Sequence, residues 1–272
     1  MKLVHASDLH FGKPHLPVVR AALERFIEEA SPDAVVISGD LTQRAKVREF
    51  EAALQFLDGL APLPVVKTLG NHDVPVYRVF ERLFSPYGNY RRVIDPELDT
   101  ITDLEGARIV ALSTAAPYTH VVNGRLRRSQ LEFADNAFES TPAGWHRILT
   151  IHHHVIGPGD FESDRPLPDA TSIIRAFHRW GVDLVLSGHL HRSFVKTSDE
   201  GLPAGTVTSG IPIVHAGTAT SSRGRGKEQG RNSFNLVRVE ESEIDVSVYL
   251  YSGASDRFVA GSRHRYPRRL DL

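Results

Sequence analysis

Val35-Val36-Ile37-Ser38-Gly39-Asp40-Leu41-Thr42 is an apolar, β-branched run that stops at a glycine and a solitary carboxylate. Its composition predicts a buried strand, and the glycine puts Asp40 just past the strand's carboxyl end. Four more blocks repeat the arrangement. Asp8-Leu9-His10 follows the run from Leu3 to Ala6, and Gly70-Asn71-His72-Asp73 follows Val65 to Leu69. His152-His153-His154 follows Ile148-Leu149-Thr150-Ile151, and Gly188-His189-Leu190-His191 follows Leu184 to Ser187. Between the first three runs lie segments of helical period. One begins near Pro17, with Val19, Leu23, Phe26 and Ile27 on one face; the other covers roughly Val47 to Leu57 and carries Phe50, Leu54 and Leu57. This β-α-β-α-β start predicts parallel strands with right-handed crossovers. In open α/β sheets, binding groups collect outside the carboxyl ends of the strands, which is where all five blocks fall.

The remainder extends the scaffold. From Val74 to about Asp99 the chain reads as a helix plus a packed loop holding Phe80, Phe84, Tyr87 and Tyr90. Strands are expected at Arg108 to Ser113 and Arg147 to Ile151 with a helix near Ser129 to Glu139 between them, and a helix from Ala170 to Trp180 precedes Leu184 to Ser187. In the last third, Phe194 to Thr197, Ile213 to Ala216, Phe234 to Glu240 and Ile244 to Leu250 are short runs without intervening helices, which predicts antiparallel pairing. The expected architecture is α/β: two facing mixed sheets with helices outside, in four layers. We read residues 1–256 as one domain and residues 257–272 as a basic tail, either disordered or docked on a partner subunit.

The residue types in the five blocks suit metals. Two-metal hydrolytic sites hold cations roughly 3.5 to 4 Å apart, and a carboxylate giving one oxygen to each can keep them there. Asp40, standing alone after its strand, is the natural bridge. Asp8, His10, Asn71, His152, His189 and His191 supply the imidazole, amide and carboxylate donors that suit manganese, iron, cobalt or zinc. The chain has no cysteine, which excludes thiolate zinc sites and iron–sulfur clusters.

The ordered set Asp8-x-His10, Gly39-Asp40, Gly70-Asn71-His72-Asp73, His152 and Gly188-His189-x-His191 resembles the calcineurin-like metallophosphoesterase superfamily, with every ligand position filled. The fuller runs, including His215-Ala216-Gly217-Thr218, are similar to its bacterial cyclic-nucleotide phosphodiesterase and glycerophosphodiesterase branch. The resemblance implies that Asp8, His10 and His191 hold one metal, that Asn71, His152 and His189 hold the other, and that Asp40 bridges them. It also implies a four-layer sandwich and hydrolysis of phosphodiesters by a hydroxide shared between the metals. His72 would face the substrate phosphate and serve as the catalytic acid or charge-stabilising group, with Asp73 setting its tautomer and orientation. Where the family usually reads His-His-Pro, this chain reads His152-His153-His154. His152, first after the strand, is taken as the ligand; His153 is the substitute in the other frame.

Composition narrows the partners. Lys plus Arg number 32 against 33 Asp plus Glu, a net charge of -1, so no global attraction to nucleic acid or acidic membranes is expected. No run of about 18 apolar residues occurs, the first residues meet charge too soon for a signal peptide, and the expected location is cytoplasmic. Anion recognition must be local. The loop from Ser221 to Asn232 carries Arg223 and Arg225, and Arg44 and Lys13 follow two of the metal blocks; of these, Arg44, Arg223 and Arg225 are the candidate substrate contacts. The loop reads equally as a phosphate-contacting lid or as a solvated hairpin. His5, His15, His120, His146, His178, His215 and His264 are expected to be surface or hydrogen-bonded residues rather than ligands. The favoured substrate is a small phosphodiester, a 3',5'-cyclic nucleotide first. Glycerophosphodiesters, phosphonates or triesters come next, then a nuclease or a non-catalytic scaffold. A homo-oligomer is a weak expectation.

Overall fold

The computed structural model describes residues 1–119, 121–159, 165–207 and 209–268. His120, Asp160, Phe161 and the last four residues of the expected tail lie outside these.

The first sheet is built from β1 (Lys2–Ala6), β2 (Ala34–Ile37), β3 (Val65–Lys67), β10 (Ser233–Val239), β11 (Glu243–Ser252) and β12 (Arg257–Pro267), in the order β12-β11-β10-β1-β2-β3. The second contains β4 (Thr100–Leu104), β5 (Ala107–Leu112), β6 (His146–Ile151), β7 (Leu184–Ser187), β8 (Phe194–Thr197) and β9 (Pro212–His215), in the order β4-β5-β6-β7-β9-β8. Helices α1 (Pro17–Ala30) and α2 (Val47–Asp58) cover the first sheet; α5 (Arg128–Glu139) and α6 (Ala170–Arg179) cover the second. Two short helices, α3 (Val79–Phe84) and α4 (Gly88–Val93), occupy the stretch read as a helix and loop.

The layers follow from side-chain alternation. Along β2, Val35 and Ile37 pack with Leu23, Ile27, Phe50 and Phe56 under the helices. Ala34 and Val36 turn inward to meet Ile109, Ile148, Leu184 and Val214 of the facing sheet. A strand buried on both faces has no polar side to show, which is why these strands read as unbroken apolar runs. The four-layer α-β-β-α sandwich is therefore present, and β1, β2, β3, β6 and β7 all deliver their loops to one end.

The sheet margins differ from expectation in three places. Residues Arg257–Pro267 are not a tail: they form β12, paired antiparallel with β11 from Glu243↔Pro267 to Ser252↔Arg257. Asp245 Oδ2 takes Arg263 Nη2 at 2.5 Å and Arg265 Nε at 3.1 Å, and Phe258 packs on Phe234, so the basic residues belong to an edge strand. β9 pairs antiparallel with β8, as expected, but it lies between β8 and β7 and runs parallel to β7, and all four of its residues are buried. β4, an edge strand with no fully buried residue, shows too little apolar alternation to be read from sequence.

Candidate metal centre

The blocks arrive at the site with unusual backbone. Among the described residues nine non-glycines have positive φ, and five of them are Asp8 (56°), His10 (48°), Asp40 (53°), His189 (75°) and His191 (55°). Each such residue costs roughly 1 to 3 kcal/mol and persists only where its surroundings impose it. Strain this concentrated marks the loop ends as the functional part of the molecule. Close packing explains two of the glycines. A Cβ on Gly39, itself at φ 92°, would fall 2.5 Å from His152 Nδ1, and one on Gly70 would fall 2.1 Å from Asp40 Oδ1.

Two clusters of donors result. In the first, the ligand atoms of Asp8, His10, Asp40 and His191 all lie within 4.8 Å of one another, and every residue is buried. His191 Nε2 is 2.9 Å from Asp8 Oδ1, His10 Nε2 is 3.5 Å from that oxygen, and the two imidazole nitrogens are 3.2 Å apart. In the second, His152, His153 and His189 meet, joined by Asn71, whose Oδ1 is 2.9 Å from His189 Nδ1 and 3.2 Å from His152 Nε2. Asp40 Oδ2 stands between the clusters, 3.7 Å from His10 Nε2 and 3.5 Å from His152 Nε2.

The outward atoms of these groups are anchored. His152 Nδ1 donates to Ser38 O at 2.7 Å and His191 Nδ1 to Arg223 O at 3.0 Å, which leaves each Nε2 facing the centre. Asp8 Oδ2 accepts from His189 N and Asp40 Oδ1 from His72 N. The remaining oxygens, Asp8 Oδ1 and Asp40 Oδ2, are buried and make no hydrogen bond of acceptable geometry. Buried carboxylate oxygens without a hydrogen bond are costly, and two of them aimed among imidazole nitrogens fit a pair of cations. His153 is held differently: its Nδ1 contacts Thr114 Oγ1 at 2.7 Å, and its ring fills the space a Cβ on Gly124 would need. Both His152 and His153 thus reach the second cluster, but only His152 also faces Asp40.

Protonation follows from burial and neighbours. Burial alone would raise Asp40 and Asp8, yet the imidazoles, led by His152 for Asp40 and His191 for Asp8, hold both carboxyls well below the usual range. Burial lowers His10 to about 4 and pushes His189 well down. His152 goes the other way: burial opposes its charge, but the Asp40 carboxylate outweighs burial and raises it to about 9. Most of the donors are therefore already in the deprotonated form that metals require.

His72 lies beside His10 with ring centroids 4.8 Å apart, and its Nδ1 donates to Gln43 O at 2.9 Å. The expected orienting role of Asp73 is corrected: its carboxylate accepts from Gly70 N, Leu41 N, Thr42 N and Thr42 Oγ1, at 2.8 to 3.1 Å, and does not touch His72. Asp73 instead ties the Asp40 loop to the Asn71 loop. Burial, seconded by the Asp40 carboxylate, raises it to about 7 against those hydrogen bonds.

Of the arginines, Arg223 comes nearest. It is half-buried, and its Nη1 donates to Gln43 Oε1 at 3.1 Å. Arg225 N donates to His191 O, so its loop is fastened to the histidine block. Glu228 is buried and accepts from Ser193 Oγ and Ser233 Oγ, which rules out a free solvated hairpin. Arg44 is exposed, its guanidinium 4.3 Å above the Tyr77 ring. Lys13 is exposed and, among the described residues, makes no hydrogen bond or ion pair with the cluster. Gln43 escaped the sequence reading; its only signal was adjacency to the Asp40 block.

Comparison with known proteins agrees with the site. Residues 1–193 match the family described as calcineurin-like phosphoesterase. A protein of Synechococcus sp. named "probable cyclic nucleotide phosphodiesterase" is 30% identical over 205 residues, 72% of this chain and 74% of its own length. One of the same description from Rhodococcus erythropolis is 27% identical over 259 residues, 90% of this chain and 82% of its own. Among solved structures, the purple acid phosphatase PPD1 of yellow lupin seeds superposes with a TM-score of 0.71 at 13% identity; the match covers 98% of this chain and 54% of that one, and it speaks for the fold. The fold and site define a metallophosphoesterase. The chain belongs to the calcineurin-like phosphoesterase family, whose members work with two metal ions, and is a metal-dependent phosphoester hydrolase.

Proposed function

We propose that the protein is a binuclear phosphodiesterase acting on small diesters, 3',5'-cyclic nucleotides foremost. The observation that carries this is Asp40 Oδ2, a buried oxygen without a hydrogen bond set between His10 and His152. In this reading Asp8, His10 and His191 hold one cation, Asn71, His152 and His189 the other, and Asp40 is shared. When bound, the cations neutralise phosphoryl charge and activate water, the chemistry of two-metal hydrolases.

The chain's own groups do the rest. The left-handed loop ends fix the donors before substrate arrives, so little reorganisation is needed during reaction. His72, at the edge of the first cluster, meets the phosphate and steadies charge on the departing oxygen. Arg223 approaches from the opposite loop and offers planar donors to the phosphate oxygens. Asp73 keeps the Asp40 and Asn71 loops in register. The two relatives named for cyclic nucleotides support the substrate class. The near-neutral charge favours small substrates over nucleic acid, and a cytoplasmic location belongs to the same reading.

Steady-state hydrolysis of 3',5'-cyclic AMP beside bis(p-nitrophenyl) phosphate by manganese-reconstituted protein tests it. Turnover of both supports the proposal. Turnover of the nitrophenyl ester alone moves the substrate to glycerophosphodiesters or other organophosphates.

A further inference from the structure

His72 and Arg223 both lie beside the cation clusters and are carried on loops about 150 residues apart. One side chain touches both. Gln43 is buried to 8% exposure. Its backbone oxygen accepts from His72 Nδ1 at 2.9 Å, its amide nitrogen lies 3.4 Å from the same atom, and its amide oxygen accepts from Arg223 Nη1 at 3.1 Å. The backbone of Gln43 is itself pinned by its N–H, which donates to Phe11 O at 3.0 Å. Arg223 is likewise committed through its backbone, where its oxygen receives His191 Nδ1. Arg223 is thus held at both its backbone and its guanidinium, and the guanidinium contact runs beside His72. Among the described residues no carboxylate forms an ion pair with Arg223. An arginine that is half-buried beside two carboxylate-bearing loops, without an ion pair, keeps its donors for an anion.

We propose that Gln43 is a positioning residue, which holds the Arg223 guanidinium beside His72 as a clamp for the phosphoryl oxygens of an anionic phosphoester. The clamp adds anion affinity that the cations alone do not supply, and it spans two loops that only the folded chain brings together. A guanidinium released from Gln43 would regain rotamer freedom and have to be ordered again each time an anion binds. The inference rests on the phosphodiesterase reading for its ligand.

The test uses the full chain loaded with manganese, with inorganic phosphate as the probe. Gln43→Met keeps side-chain length, removes the acceptor for Arg223 and leaves the backbone bond to His72. It should weaken competitive inhibition by phosphate about tenfold, as expected for one hydrogen bond to a charged group. It should raise KM for bis(p-nitrophenyl) phosphate similarly, with kcat and metal content close to wild type. Arg223→Met should weaken phosphate further, and the double variant should be no worse than Arg223→Met, because Gln43 acts through the arginine. Should Gln43→Met fold poorly, Gln43→Asn withdraws the amide by one methylene and should produce the same weakening. Unchanged phosphate inhibition in a two-metal Gln43 variant overturns the inference, as does a double variant whose loss is the product of the single losses. A wild-type protein that holds two metals yet neither binds phosphate nor cleaves the diester overturns the phosphodiesterase reading, and the inference with it.

Discussion

The two halves of the candidate metal centre are built from different chemistry. The first joins two carboxylates, Asp8 and Asp40, to His10 and His191; the second has imidazoles and the neutral amide of Asn71, and its only carboxylate is the shared Asp40. A dication in the first half meets two negative charges, and one in the second meets a single borrowed one. The second position should therefore be the weaker, and its occupancy should depend on Asp40 more than on any of its own histidines.

The largest effect should come from removing the shared group. Asp40→Ala is expected to abolish diester hydrolysis, a loss of at least about a thousandfold, since catalysis by two metals requires both. Steady-state rates against the wild-type background check it, and retained turnover would mean the halves work independently. His72→Ala should lower kcat about a hundredfold, the usual contribution of a positioned acid or charge-stabilising group, while elemental analysis finds the metals still in place. Loss of metal with turnover would instead make His72 a structural support for Asn71.

Protons should separate the halves further. In the metal-free protein His152, raised to about 9, carries its proton at neutral pH, whereas Asp8, Asp40 and His10 are already deprotonated. The second metal must displace that proton, so its affinity should rise about tenfold per pH unit up to about 9 and level off above. Metal titrations at pH 6 and pH 8 read this directly: acid should empty the second position first. Equal loss from both would remove the asymmetry. The smallest effect belongs to His153→Ala. If His152 is the ligand, the variant should keep both metals and lose only severalfold in rate, through the void beside Gly124 and Thr114. A one-metal His153 variant would reassign the frame.

The same contrast between centre and margin explains what the sequence revealed. Strands β1, β2, β6 and β7 are almost wholly buried, so their apolar runs are continuous, and the loop ends that follow them and the short β3, with Asp8, Asp40, Asn71, His152 and His189, stand out locally. β4 and β12 lie at sheet edges, where half the residues face water and Arg263 or Arg265 serve as well as valine. The direction of β9 depended on where the chain re-entered the sheet after β8, which no local pattern encodes. Within the site, single-block chemistry was legible and contacts between blocks were not. Asp73 was adjacent to His72 in sequence and so was assigned to it, but its hydrogen bonds go to Leu41 and Thr42. Gln43 met Arg223 only through a closure of 180 residues.

Metal stoichiometry by elemental analysis, on wild-type protein and Asp40→Ala after manganese reconstitution and desalting, tests the central claim most directly. The shared-carboxylate account predicts two metals per chain in the wild type and at most one in the variant. Two retained in Asp40→Ala would contradict it.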